Sequence, residues 1–227
     1  MAELQKYLYF VRHAESEKNV QRIRGGAGLP LTSNGLLDAN HVAQWFLADE
    51  GADLREFKCF SAPSMQVQET AGIISTTSGA IFEEREELDK IFLGILDGVS
   101  ENVARKHFPE ASRLIEVWRS DGGSLQEVSV PDQESARDFY ERVRSFATRC
   151  VVNETRDILV VGTRSIGIAL VNLFRRGVSN VYDNSSYRRV SFNPASVTKI
   201  EINGLHSSVC YTNYTDFLPN RVRVTDD

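Results

Sequence analysis

The chain has 227 residues, 41% hydrophobic and 25% charged, with a formal net charge of −5. Length and composition suit one domain over residues 1–227 with a core of its own. The acidic balance argues against nucleic acid or an anionic membrane surface as partner, and no stretch nears the ~20 apolar residues of a membrane span. Cys59, Cys150 and Cys210 are too scattered for a disulfide framework or a zinc site, and no leader-like run opens the chain. A cytoplasmic location is the expectation.

In chain order, Lys6–Val11 (KYLYFV) has the apolar and aromatic content of a strand. From Thr32 to Gly51, apolar residues Leu36, Ala39, Ala43, Phe46 and Leu47 recur at helical spacing, and the Gly ends the run. FKCFSA reads as a second strand and SMQVQETAGIIS as the helix after it. SENVARKHFPEASRLIEVWRS predicts two short helices broken before Pro109. In QESARDFYERVRSFATRCVV, residues Ala136, Phe139, Tyr140, Val143, Phe146, Ala147, Cys150 and Val151 make one continuous apolar helix face. DILVV is a strand apolar on both faces, and a helix from Ser165 to Arg175 follows it. YRRVSFN and SVTKIEING read as a closing pair of strands.

Strands alternating with amphipathic helices predict an α/β three-layer sandwich, a mostly parallel sheet with helices on both faces. Ligands of such sheets bind beyond the carboxyl ends of the strands. Two loops therefore stand out: RHAES after Val11 and GTRS after Val161. His13 is suited to act as base, acid or nucleophile near neutral pH, and Arg12 offers a planar fork of donors to a phosphate or carboxylate.

The run YFVRHAESEKNVQRIRGGAGLPLTSNG resembles the opening signature of the histidine phosphatase superfamily, in its phosphoglycerate mutase-like branch. Arg12, His13, Glu15, Ser16, Asn19, Arg22, Gly25, Pro30, Leu31, Thr32 and Gly35 fall on its motif, with Ala14 where Gly is usual. FSAPSMQVQETA, ELDKIFLGILDG, PDQESARDFYERVRSF, ILVVGTRSIGIAL and, for the closing strands, ASVTKIEINGLHSSVCYTNYTDFLP resemble later family segments in family order. The resemblance implies His13 as phosphoryl-accepting nucleophile, with Arg12, a second Arg and a second His holding the phosphate oxygens. It implies an acidic residue that protonates the leaving oxygen, and no metal or cofactor. It also leaves a homodimer open.

The resemblance sets Gln66 where the second Arg belongs, Lys90 where the acid belongs, Thr163 in place of the second His and Arg164 in place of the Gly after it. Gln66 and Thr163 can donate hydrogen bonds without charge. Lys90 is a poor acid at neutral pH, given an ordinary lysine pKa of ~10.4. Losing a positioned acid costs about 10²–10⁴-fold in rate. Lys90 and Arg164, if turned inward, make the pocket more cationic, and the helix start at Arg164 and Ser165 favours an anion too; turned outward they are solvated cations. Asp89 and Glu87 are the alternative acids, and Arg22 and Arg24 the alternative cations. His41, His107 and His206, and the pairs Arg175–Arg176 and Arg188–Arg189, read as surface or packing residues.

The expected ligand is a small anionic, phosphorylated molecule, held by Arg12, His13, Asn19, Arg22, Gln66, Lys90, Thr163, Arg164 and Ser165. Three functions stay open at this level. They are an atypical phosphoryl-transfer enzyme preferring good leaving groups, a catalytically inactive binding or regulatory protein, and a scaffold recruited to a different biosynthetic reaction.

Overall fold

The computed structural model describes residues 5–121, 130–178, 190–204 and 206–219. In chain order the elements are β1 (Gln5–Arg12), α1 (Glu17–Val20), β2 (Ile23–Arg24), α2 (Ser33–Ala48), β3 (Lys58–Ser61), α3 (Met65–Ser78), β4 (Phe82–Glu84), β5 (Val99–Ser100), α4 (Glu101–His107), α5 (Pro109–Asp121), α6 (Ala136–Phe146), β6 (Ile158–Gly162), α7 (Arg164–Arg176), β7 (Val197–Asn203) and β8 (His206–Tyr214). The main sheet runs β4-β3-β6-β1-β7-β8. Its first four strands are mutually parallel; β7 is antiparallel to β1, and β8 to β7. The small β2–β5 ribbon is antiparallel and lies apart from it.

Alternation along β1 shows why both faces are covered. Tyr9 meets Phe46 of α2 edge-on on one face. On the other, Phe10 packs against Phe192 and beneath Gly167 of α7, where a Cβ would come within 2.4 Å of its ring. Phe60 of β3 meets Phe146 of α6 edge-on. Every residue of β6 is buried, as its uninterrupted apolar run requires. This is the expected sandwich, with the antiparallel hairpin added at one edge.

Some sequence expectations need correction. The closing strand pairs with His206–Tyr214, and of the proposed YRRVSFN strand residues 190–193 are not in a strand, while 187–189 lie outside the described residues. The true partner has no buried residue, and only Val209, Tyr211 and Tyr214 of it pack against the core, so its sequence carries a weak apolar signal. In α2, Leu36 and Leu47 are exposed, because each lies about 100° around the helix from its buried neighbour, Gly35 or Phe46, at the margin of the stripe that buries Ala39, Val42 and Phe46. The long sixth helix changes at Ala147 into a π-helical stretch through Val152. Its last carbonyls, those of Val151 and Val152, accept hydrogen bonds of 2.6 and 2.9 Å from Lys6 Nζ. Burial lowers the pKa of that ammonium, against the opposing pull of Glu154. Among the described residues no helix is long and apolar enough to cross a membrane.

Candidate active site

Register places the site. Arg12 at the end of β1 pairs with Gly162 at the end of β6, and Val161 of β6 pairs with Ser61 at the end of β3. Ser61 in turn pairs with Glu84 at the end of β4. Four neighbouring parallel strands thus end together; the His13 loop and the starts of α3 and α7, with Gln66 and Thr163, leave from that one edge, and Lys90 follows β4 after a 3-10 turn at Glu86–Leu88.

His13 is 5% exposed and held on both sides of its backbone. Its N–H donates to Gly162 O at 2.9 Å, and its carbonyl accepts from Ala195 N at 3.2 Å. The ring Nδ1 lies 2.8 Å from Ala14 O. A carbonyl can only accept, so Nδ1 bears a proton, and in the neutral imidazole the lone pair is then on Nε2. The imidazole is thereby set in the tautomer and orientation that a nucleophile needs.

Ala14 is fixed in turn. Its N–H donates to Thr70 Oγ1 at 3.1 Å, and that hydroxyl donates to Gln66 O at 2.7 Å. One threonine on α3 therefore couples the His13 loop to the turn of helix that carries Gln66. Glu15 accepts the Thr32 hydroxyl at 2.7 Å and, through its carbonyl, the Thr32 N–H at 3.0 Å. Gly35 is required beside it: a Cβ there would stand 2.0 Å from Glu15 O.

Arg12 is 2% exposed, the largest fully buried side chain among the described residues, and its Nη1 donates to Phe192 O at 2.5 Å. The segment before β7 also accepts Arg12 N, at Ser196 O. Gln66 is 2% exposed, and its Oε1 has no hydrogen-bond partner among the described residues; nor do the buried Ser64 Oγ and Ser196 Oγ. Native interiors rarely leave such atoms unsatisfied. Thr163 is buried at the start of α7, its hydroxyl 3.2 Å from that of Ser165 and making no helix cap. Arg164 and Ser165 are half-buried in the first turn of α7.

Lys90 is partly buried, with Nζ 3.6 Å from Asp89 Oδ1. Asn19 is buried, and its Oδ1 accepts from Ser16 N at 3.0 Å and Ser16 Oγ at 2.9 Å, which closes the α1 turn. Arg22 is exposed, with a left-handed φ of 51°, and its carbonyl accepts from Glu101 N. Arg24 is engaged elsewhere, in a 2.8 Å ion pair with Glu101, which removes it as a substitute for the second arginine. His41 sits 3.9 Å from Asp38 within α2 and His206 is exposed at the start of β8, both away from the carboxyl edge.

Sequence reasoning passed over Thr70, Phe192 and Ser196, whose roles are backbone contacts between distant segments. It also passed over Arg142 of α6. That guanidinium donates to Asp89 O at 2.8 Å and Glu87 O at 3.0 Å while pairing with Glu134 at 2.9 Å.

The mostly parallel α/β sheet thus carries a buried arginine and an Nδ1-anchored histidine at its carboxyl edge. Comparison with known sequences gives the family. The model of the histidine phosphatase superfamily, branch 1, matches residues 8–214, and the chain belongs to that superfamily. A protein of Hydrogenobacter thermophilus described as "Putative phosphoserine phosphatase 2" is 29% identical over 214 residues, covering 92% of this chain and 95% of that one. "Probable phosphoglycerate mutase GpmB" of an Enterobacter species is 26% identical over 200 residues, covering 86% and 84%. Among solved structures, YhfR of Bacillus stearothermophilus superposes with a TM-score of 0.76 at 22% identity, over 94% of this chain and all of that one. The mycobacterial glucosyl-3-phosphoglycerate phosphatase complexed with VO3 gives 0.74 at 19%, over 92% of this chain and all of that one. These structural likenesses show the fold.

Proposed function

We propose that the site binds a small phosphorylated anion at Arg12 and His13, and that His13 accepts its phosphoryl group from donors whose leaving group needs no proton. The observation that carries this reading is the 2.8 Å contact of His13 Nδ1 with Ala14 O, which in the neutral ring puts the lone pair on Nε2. Arg12, Arg164 and Lys90 are the cations on this edge; charge that spreads over the equatorial phosphoryl oxygens in the transition state is what such groups stabilise. Gln66, Thr163 and Ser165 add neutral hydrogen-bonding groups, and Asn19 and Arg22 complete the loop that follows the nucleophile.

In an acyl phosphate, Nε2 attacks phosphorus, the N–P bond forms and the P–O bond to the acyl group breaks. The carboxylate leaves with the electron pair and takes no proton. Water then attacks phosphorus, the N–P bond breaks with its electrons returning to Nε2, and the water proton is released to solvent or phosphate. An alkyl monoester lacks this route, because an alkoxide must be protonated as it leaves. With Lys90 at the position where the family resemblance calls for an acid, such esters are poor substrates. The same cation set also suits binding without turnover.

The test is a panel of acyl phosphates and alkyl phosphomonoesters with the wild type and His13→Ala. Turnover of acyl phosphates, lost in His13→Ala, supports the proposal. Equal rates in the two proteins overturn it, and tight phosphate binding with no turnover of any donor leaves only a binding protein.

A further inference from the structure

The chain between Arg24 and Pro30 is held firmly at its ends and lightly in its middle. At one end, Ile23 and Arg24 pair with β5, Arg24 O accepts from Gly98 N at 2.7 Å, and the Arg24 guanidinium meets Glu101 at 2.8 Å. At the other, Pro30 O accepts from Glu17 N at 3.0 Å, and Leu31 N donates to Glu69 Oε2 at 2.7 Å. None of residues 25–29 between them is buried. Ala27, Gly28 and Leu29 make no backbone hydrogen bond among the described residues. Segments held so lightly open locally well before the fold as a whole does.

Three contacts keep this span down. Gly26 N donates to Asp97 Oδ2 at 2.6 Å, and Asp97 Oδ1 accepts from Leu93 N at 3.2 Å, which fixes the carboxylate. Lys18 Nζ reaches Gly26 O at 3.4 Å. Gly28 is seated on the first turn of α3, where a Cβ would stand 2.5 Å from Met65 N and 2.6 Å from Gln66 Oε1. The bend that carries the span across to α3 falls on Gly25 and Gly26, whose left-handed φ angles of 57° and 68° suit glycine. Beneath the seat lies Gln66, 2% exposed, with Oε1 unpartnered among the described residues. Thr70, one helical turn on and on the same face of α3, reaches the His13 loop through Ala14 N. A buried oxygen sealed under a glycine gains a partner, water or ligand, when the glycine lifts.

We infer that residues 25–29 are a lid over the Gln66 side of the Arg12–His13 site, hinged at Gly25 and Gly26 and latched by Asp97, and that ligand enters as the lid lifts. The inference rests on the anion site proposed above. Asp97 is a positioning residue: it holds backbone N–H groups of the lid and of Leu93, and acts on the site through the lid. Gly28 is the seat, because no side chain fits between the lid and α3.

The test needs no turnover. It is the rate at which diethyl pyrocarbonate labels His13, read by mass mapping, with half-buried His41 and exposed His206 as internal references. Asp97→Ala removes the latch and is expected to speed His13 labelling about tenfold, the scale of one hydrogen bond to a charged group, with both references unchanged. Gly28→Ala lifts the tip from the other side and is expected to speed it as well, which keeps the test open should Asp97→Ala not fold. Methylphosphonate is expected to slow His13 labelling in the wild type. Wild-type His13 rates in the folded variants overturn the lid. A rise at His13 matched by one at His41 is general loosening and overturns it too. Failure of methylphosphonate to protect His13 in the wild type overturns the anion site instead, and the His13 rates alone then decide the lid.

Discussion

Thr70→Val is the sharpest probe of how the nucleophile is held. The Thr70 hydroxyl accepts from Ala14 N at 3.1 Å and donates to Gln66 O at 2.7 Å. Valine keeps the shape and removes both bonds. Gln66 O retains its helical partner four residues on within α3. Ala14 is 0% exposed, so its N–H is left buried without an acceptor. One such group costs about 1–3 kcal/mol, and the added methyl offsets little because the site is already packed. Urea denaturation should therefore show a loss of about 1–3 kcal/mol at constant m-value. Ala14 also supplies the carbonyl that orients the His13 ring, so methylphosphonate affinity should fall in the same variant. A stability change below about 0.5 kcal/mol together with unaltered affinity would refute the bridge.

Further outcomes follow from other parts of the molecule. Combining Gln66→Arg, Lys90→Glu and Thr163→His should raise hydrolysis of an alkyl phosphomonoester by at least about 10²-fold, the scale of one positioned acid; an unchanged rate would show that these positions do not limit the chemistry. Burial pushes the Cys59 thiol up to about 12, whereas Cys210 is exposed. Iodoacetamide on the native protein near neutral pH should label Cys210 and spare Cys59, as mass mapping would show. The Arg156 side chain, with backbone N–H groups, holds the Glu154 carboxyl at about 2 against an ordinary 4.5. A depressed carboxyl contributes its full stability above the unfolded value and loses it as pH falls toward the folded one. Arg156→Ala should thus narrow the stability difference between pH 7 and the acid limb, and identical acid titrations of the two proteins would contradict that.

How far the sequence alone reaches depends on the kind of contact. The strand ending in Arg12 and His13 was readable because its apolar run is local and its polar end is abrupt. DILVV and its helix were readable for the same reason. The Arg12–Gly162 and Ser61–Val161 registers, which put the loops on one edge, follow from parallel α/β order. β8 was reached only through the family resemblance and not by pattern, since HSSVCYTNY has no buried residue and only a weak apolar period. The demotion of Arg24 could not be read either: its ion pair with Glu101 joins residues far apart in the chain. Arg142 was invisible for a related reason. It recognises carbonyl oxygens, which every residue has, so neither side of that contact leaves a residue-type signature.

The central claim is that Nε2 of His13 takes a phosphoryl group. The direct measurement is mass mapping of the protein after brief incubation with acetyl phosphate, with acid and base quenches compared. A phosphoryl group on His13, stable to base and lost in acid, and absent from His13→Ala, is the result expected. No label on His13, or equal labelling of the His13→Ala variant, would contradict the account.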